Sequence, residues 1–235
     1  MTVYLYCLVA SGHEPAPGLT GLGGAPVRVV SADGVDAWVS DLHDAGRATV
    51  AHARAHDAVV RAAMAQETPL PARFGQTFAD DGALCRSLRE RGSVLAERLA
   101  RVRGAAEMTV RLLVEPSSAE ALASEQRSLS AAHPSTGRAY LALARARQEA
   151  RAEAARRADF LQARLWQCVA GVVREEARTP LVWPARSVTL SHLVARDALA
   201  TYRLAVQRFV ERELRQPVLL SGPWAPYSFT EQPRG

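Results

Sequence analysis

The chain has 235 residues, of which 48% are apolar and 6% aromatic, and its formal net charge is +5. This length allows one large domain or two small ones with a real core. No apolar run approaches the ~18 residues of a membrane helix, and the first residues do not resemble a signal peptide, so we expect a cytosolic protein. All 29 basic residues are arginines, mostly interleaved with acidic residues, which disfavours a nucleic-acid-binding face.

The three cysteines, Cys7, Cys85 and Cys168, lie far apart and show no paired spacing. They suit buried thiols in a reducing compartment better than a disulfide framework or a zinc site.

The first third of the chain begins with strand patterns. Val3–Val9 is apolar nearly throughout, which predicts a buried central strand. Ser11–Pro26 is rich in glycine and proline and is predicted to be a loop. Val27–Val30 and Val35–Val39 flank an Asp-Gly pair, the pattern of a β-hairpin.

A helix is predicted from about residue 49 to residue 66 by the spacing of its apolar residues. It carries His52 and His56, an i,i+4 pair that could bind zinc. The residues between them lack the glutamate of the metalloprotease motif, and no third ligand is close in sequence. We therefore expect hydrogen-bonded structural histidines, with no metal and no cofactor.

The segment Thr68–Phe78 lies between two predicted helices. Its two prolines exclude a helix and favour an extended backbone, which predicts a short strand. Arg73 is its one charge: it either pairs with a carboxylate of this chain or anchors an acidic or planar group of a partner. Phe74 and Phe78 beside it are further candidates for partner binding or domain anchoring.

A second helix is predicted from Asp80 or Asp81 to Val102, with Gly104 as its stop signal. Residues 1–105 are thus predicted to form an N-terminal domain, a mixed β-sheet with two helices.

The longest predicted helix runs from about Arg138 to Glu176. Its first half is rich in Ala, Arg and Glu and should project, with Arg151 and Arg156 on a partner surface. Its second half carries an apolar stripe that includes Cys168, is flanked by Trp166 and should lie on a sheet. A coiled coil is the rival interpretation, although the apolar heptads are few.

The remaining pattern predicts a second domain over residues 106–221. Strand Met108–Glu115 precedes the long helix, strands Thr179–Pro184 and Ser187–Val194 follow it, and helix Asp197–Leu214 leads to strand Pro217–Leu220. This βαββαβ order is that of a ferredoxin-like domain. The predicted fold class is α+β with two domains.

Residues 222–235 form a tail with Trp224, Tyr227 and Phe229. Its prolines argue against regular structure, whereas its aromatic residues argue for burial. We expect the three rings to dock on the body near Phe74 and Phe78. The rival interpretation is a free tail that recognises a partner.

No catalytic motif is evident: the chain has no glycine-rich phosphate loop with a lysine, no nucleophile elbow and no metal-spaced cluster. We therefore expect a protein that is not an enzyme.

Five sequence blocks, in this order, resemble the gas vesicle protein GvpL/GvpF family. They are Val3-Tyr4-Leu5-Tyr6, His56 with Val59, Leu70–Phe78, Gly137-Arg138-Ala139-Tyr140-Leu141, and Gly222–Phe229. Together they span nearly the whole chain. One departure is Ala72, where a larger residue would be expected before the arginine.

The resemblance implies an accessory or minor structural protein of gas vesicles, without catalysis, whose partners are the apolar shell protein or other vesicle proteins. An alternative is a ferredoxin-like module that binds a small ligand or regulates another protein. RNA binding is a third hypothesis, but the strand Met108–Glu115 lacks the aromatic residues that are typical of RNA-binding sheets.

Overall fold

The computed structural model describes residues 2–43, 49–114, 137–182, 187–214 and 218–230. The chain divides into two compact units. The N-terminal unit comprises Met1–Met108, Leu193–Asp197 and Gly222–Gly235, and the C-terminal unit comprises Thr109–His192 and Ala198–Ser221. The domain boundaries inferred from the sequence, after residues 105 and 221, stay a prediction.

The N-terminal unit contains a five-stranded antiparallel sheet in which β1 is central. The strand order is β2-β3-β1-β4, and β5 also pairs with β1. The strands are β1 (Thr2–Ala10), β2 (Arg28–Ala32), β3 (Val35–Leu42), β4 (Leu70–Pro71) and β5 (Thr77–Phe78). The long apolar run of β1 and the Asp-Gly turn between β2 and β3 thus have the predicted roles.

Three helices accompany this sheet: α1 (Val50–Gln66), α2 (Asp81–Glu90) and α3 (Gly92–Val102). The side chain of Asp80 caps α2 by accepting a hydrogen bond from the backbone N–H of Ala83 at 2.7 Å. The single helix predicted from Asp80 or Asp81 to Val102 is wrong, because Arg91 leaves helical geometry between α2 and α3. The weak helix propensity of Gly92 favours a break at this point.

The core of the N-terminal unit lies between β1, β3 and α1. Its members are large rings and branched side chains, among them Tyr4, Tyr6, Trp38, Leu42, Val59 and Val60. Three aromatic rings, those of Tyr4, Tyr6 and Trp38, therefore contribute to this core.

The segment Thr68–Phe78 is not one strand, as the sequence predicted, but two two-residue strands joined by a turn. Gly75 in this turn has φ of 88°. No described atom outside the neighbouring residues lies within 4 Å of where its Cβ would be. The glycine therefore serves the left-handed turn and not a close approach of two backbones.

A second sheet has the strand order β7-β8-β6-β9. Its strands are β6 (Ala105–Leu113), β7 (Val173–Val182), β8 (Ser187–Ala195) and β9 (Leu219–Trp224). Among its described residues, the C-terminal unit has the α-helices α4 (Gly137–Val169) and α5 (Leu199–Glu213). The described residues thus form a mixed α+β fold with two antiparallel sheets and five α-helices, the class that the sequence predicted.

Two predicted boundaries in the second half are wrong. Helix α4 ends at Val169, and Glu176 lies in strand β7. Gly171 and the β-branched residues after it favour leaving the helix there. Strand β9 continues through Pro223 to Trp224, although the tail prolines were predicted to exclude regular structure. Because β9 is an edge strand, one missing N–H is tolerated.

The apolar stripe of α4 is partly as predicted. Its buried members are Ala154, Ala158, Leu161, Leu165 and Val169. Cys168, predicted within the stripe, is exposed, and Trp166 is 38% exposed. None of the described helices is long and apolar enough to span a membrane.

Candidate functional site

A buried cluster of polar and aromatic side chains ties the turn at Gly75 to β1 and α1. The backbone N–H of Gly75 donates to the Tyr4 hydroxyl at 3.0 Å, and this hydroxyl is 2.9 Å from Nδ1 of His56. The ring of Phe74 stands edge-on to His56, with ring centroids 5.8 Å apart. The turn is therefore held in place by the Tyr4 hydroxyl and the His56 imidazole ring.

His56 is neutral in this arrangement. Burial lowers the pKa of His56 below its ordinary value, and the nearby carbonyl of Ala72 only partly opposes this. With the proton on Nε2, Nδ1 accepts from the Tyr4 hydroxyl, which frees that oxygen to accept from Gly75. Nε2 is buried and makes no hydrogen bond with any described residue.

A second tyrosine of β1, Tyr6, holds the loop before β2. Its hydroxyl donates to Oγ of Ser40 at 3.1 Å and accepts from the backbone N–H of Leu22 at 2.8 Å. A Cβ on Gly21 would lie 1.9 Å from this hydroxyl, so only glycine fits there. The apolar pattern of β1 predicted a buried strand but gave no sign of which partners its tyrosine hydroxyls would have.

Three half-exposed aromatic residues lie along α1 in the N-terminal unit. Phe74 contacts His56, and the guanidinium of Arg61 lies 5.1 Å from the ring centre of Trp224. Tyr227 lies near Asp57, which pairs with Arg61 at 2.8 Å. Burial, followed by the charge of Asp57, raises the pKa of Tyr227.

Phe74 is 40% exposed, Trp224 36% and Tyr227 39%. We call Phe74, Trp224 and Tyr227 the aromatic surface. Rings that are half buried and half exposed are typical anchors at protein interfaces.

Phe229, the third aromatic residue of the tail, differs from the other two because it is only 1% exposed. Its carbonyl accepts from Arg101 at 2.7 Å, and the carbonyl of Thr230 accepts from Arg98 at 2.7 Å. Ser228 donates to both carboxylate oxygens of Glu107, from its N–H at 2.8 Å and from its hydroxyl at 2.7 Å. Residues 227–230 are thus held on the N-terminal unit by backbone as well as by side-chain contacts.

The other predicted residues lie in different places. Phe78 is half-buried in β5, and Arg73 is exposed beside a cleft of the N-terminal unit. Arg151 and Arg156 belong to α4 of the C-terminal unit, where Arg151 is exposed and Arg156 pairs with Glu153 at 2.6 Å. The two arginines of α4 therefore belong to a different unit from the aromatic surface.

The C-terminal unit contains a buried chain of hydrogen-bonded polar side chains that no local sequence pattern predicted. His192 is fully buried, with Nδ1 2.6 Å from the Tyr202 hydroxyl and Nε2 2.9 Å from a carboxylate oxygen of Glu176. Gln162 donates to the other oxygen of this carboxylate. Glu176 had been assigned to the long helix, so nothing in the local pattern joined it to His192.

The pKa shifts of Glu176 and Tyr202 indicate a structural role for these hydrogen-bonded side chains. Burial raises the pKa of Glu176, but hydrogen bonds from His192 and Gln162 outweigh it and the net shift is downward. Burial raises the pKa of Tyr202, so this hydroxyl stays protonated and donates to His192. Glu176 and Gln162 border a cavity of about 410 Å³, which is also lined by Asp159, Ala163 and Trp166.

Among the residues that the structure describes, no group of three or more His, Cys, Asp or Glu side chains could hold a metal ion. His52 is half-buried, and its backbone N–H donates to the capping Thr49 at 3.1 Å.

Comparison with known proteins gives the family. The family described as "Gas vesicle synthesis protein GvpL/GvpF" matches residues 2–231. A gas vesicle protein L of a Streptomyces species is 33% identical over 184 residues, which cover 75% of this chain and 68% of that protein. A gas vesicle protein F of the same organism is 28% identical over 98% of this chain and all of that protein.

The fold comparison agrees with this. The crystal structure of the gas vesicle protein GvpF from Anabaena sp. PCC7120 has a TM-score of 0.77 to this chain at 17% identity, and 99% of each chain is covered. At this identity the likeness establishes the fold alone, whereas the family match rests on sequence over nearly the whole length. The chain belongs to the GvpL/GvpF family of gas vesicle synthesis proteins.

Proposed function

We propose that this protein acts in the assembly and organisation of gas vesicles in the cytoplasm, by binding the apolar shell protein or another vesicle protein, without catalysis. The observation that carries the proposal is the aromatic surface. Its three rings are each 36–40% exposed and lie along one helix of the N-terminal unit. Membership of a gas vesicle synthesis family supports the setting.

The physical need for such a protein follows from the nature of a gas-filled shell. A shell subunit that faces gas must expose apolar side chains, and apolar β segments aggregate before they assemble. A partner that covers such a segment needs apolar contacts that do not themselves aggregate. The aromatic surface meets this need because each ring is half covered by its own fold and one is stacked by Arg61.

A second contact is proposed on the first half of α4. Arg151 is exposed, and the ion pairs of this half, such as Arg145 with Glu149 at 3.0 Å, are on the surface. Exposed pairs add only about 0–1 kcal/mol each to stability. Such charges are therefore available to recognise a partner, and Arg151 with Arg156 are the residues proposed to do so.

The alternative function is a ferredoxin-like module that binds a small ligand or regulates another protein. The order β7-β8-β6-β9, with helices α4 and α5 between strands along the chain, favours the ferredoxin-like arrangement that we propose for residues 106–221. The cavity bordered by Glu176 is where a small ligand of such a module would be sought.

Capture of the shell protein tests the main proposal. The protein is co-expressed with the shell protein, and the captured amount is compared for the unaltered chain, a Phe74→Ala/Tyr227→Ala double variant and a Leu204→Ala control. Leu204 is 46% exposed on α5 of the C-terminal unit. We expect the double variant to lose capture at least about tenfold, because central aromatic anchors are each worth about 2 kcal/mol or more.

The control should capture normally, and all three proteins should have the circular dichroism of the folded chain. Full capture by the folded double variant would refute the role of the aromatic surface. Loss of capture by Arg151→Glu/Arg156→Glu in the same experiment would then assign the contact to α4.

A further inference from the structure

The N-terminal unit contains a cleft of about 210 Å³ that is separate from the proposed aromatic contact. Its apolar part is formed by β1, β4 and α3, with Leu5, Leu8, Leu70, Pro71 and Leu95 among the lining side chains. Its polar part contains Arg73, Arg91 and Arg98. We call this site the arginine cleft.

The charge of the arginine cleft is one-sided. Three of its lining residues are arginines, and none of the described residues that line it is Asp or Glu. Arginine is charged at any physiological pH, so three positively charged side chains border a space of about 210 Å³. Such an arrangement favours an anion, because the anion relieves the repulsion between like charges.

Arg98 shows how the cleft is prepared for such a ligand. One of its terminal nitrogens donates to the carbonyl of Thr230 at 2.7 Å, which fixes the guanidinium at the cleft wall. Its Nε is buried and has no hydrogen-bond partner within the described chain. Buried polar groups nearly always have a hydrogen-bond partner in native proteins.

The apolar lining selects among anions. A phosphate or sulfate ion would gain nothing from the leucine and proline side chains, whereas a carboxylate on an apolar group would use both parts. Guanidinium groups bind carboxylates through paired hydrogen bonds. The volume suits a carboxylate joined to one apolar side chain and is small for a nucleotide.

We propose that the arginine cleft binds a carboxylate carried on an apolar group, presented by an acidic apolar segment of a partner protein. The site is distinct from the aromatic surface, so it stands even if the proposed shell contact fails. A free carboxylic acid with an aromatic ring offers the same chemistry and serves as the probe.

Titration with 3-phenylpropionate, followed by NMR of the leucine methyl groups, tests the proposal. Two control ligands are titrated in the same way. The neutral amide 3-phenylpropionamide has the same shape without the charge, and inorganic phosphate has the charge without the apolar group. We expect shifts at Leu5, Leu8, Leu70 and Leu95 with the carboxylate only. Equal binding of the amide or of phosphate would overturn the proposal, as would the absence of any shift with the carboxylate at millimolar concentration.

Variants locate the site. Arg73→Gln and Arg91→Gln remove one charge each and should weaken binding of 3-phenylpropionate about tenfold or more, since each removes a charge-assisted hydrogen bond. Arg89→Gln is the matched control, because Arg89 is an exposed arginine of α2 that does not line the cleft. If Arg89→Gln weakened binding of 3-phenylpropionate equally, the effect would be due to net charge alone, and the proposed site would be refuted.

An acidic apolar peptide ending in Glu-Phe, compared with its C-terminally amidated Gln-Phe analogue, then tests the peptide source. Binding of the acidic peptide alone supports the partner segment. Failure of both peptides, with 3-phenylpropionate bound, would refute the partner segment in favour of a small free acid. The shell-capture experiment with Arg91→Gln keeps the two sites distinguishable, because normal capture is expected.

Discussion

Truncation of Phe229 to alanine gives the sharpest test of how the tail is attached. The ring is only 1% exposed, and full removal of a buried Phe side chain costs about 3–5 kcal/mol. The nearby backbone contacts to Arg98, Arg101 and Glu107 remain available, so this figure estimates the ring alone. For a chain of this size, 1 kcal/mol shifts the melting temperature by roughly 2–4 °C. We therefore expect Phe229→Ala to lower it by roughly 6–20 °C.

Two further truncations set the scale of this experiment. Trp224 is 36% exposed, so Trp224→Ala should cost less than the ~3–5 kcal/mol of a fully buried ring. Phe160→Ala is the matched control, the same deletion at a site that is 48% exposed, and should cost well under half as much as Phe229→Ala. Melting is followed by circular dichroism. An unchanged melting temperature for Phe229→Ala, or a larger loss for Trp224→Ala, would refute the reasoning.

Three further predictions concern other parts of the chain. The pKa of His56 in the folded state lies below its unfolded value of about 6.5, so the unfolded state binds more protons and stability decreases as the pH drops below about 6.5. His56→Gln should make this decrease smaller in melting curves recorded at acid pH. Gly21→Ala should destabilise by roughly 1–3 kcal/mol in urea unfolding, since the new Cβ displaces the Tyr6 hydroxyl from its two partners. Arg151→Glu with Arg156→Glu should change the free energy of unfolding by less than about 1 kcal/mol but weaken capture of the shell protein.

Matched variants accompany these tests. His43 is exposed, so His43→Gln should leave the acid slope unchanged, and an equal flattening would remove His56 as the cause. Gly171 has no described atom near the position of a Cβ, so Gly171→Ala should be tolerated; equal damage there would show a general cost of replacing glycine. A large drop in melting for the arginine pair, with capture intact, would contradict a partner surface on α4.

Local patterns predicted most of the first sheet and the interior of the long helix. A continuous apolar run identified β1, and an Asp-Gly pair identified the turn after β2, because both signals are contained in a few residues. The break at Arg91 and the end of α4 at Val169 were missed, because the apolar spacing continues across both points. There the backbone preferences of Gly92 and Gly171 agree with the structure better than periodicity does.

The candidate sites were harder to predict, because they depend on pairs of residues far apart in the chain. His192 meets Glu176 only because β7 begins where the sequence suggested a helix. No local sequence pattern singles out Arg91 and Arg98, and only the fold places them at the same cleft as Arg73. The tail aromatics were recognised as a group, yet which ring is buried depends on the carbonyl contacts of residues 229 and 230.

The turn between β4 and β5 links the two proposed sites. Arg73 lines the arginine cleft, and the next residue, Phe74, contacts His56 and belongs to the aromatic surface. Both positions depend on Gly75, whose left-handed φ only glycine adopts readily and whose N–H is held by the Tyr4 hydroxyl. Since Tyr4 is in turn held by His56, one buried chain of hydrogen bonds holds the turn that carries both residues. Phe74 and Arg73 therefore depend on the same turn for their positions.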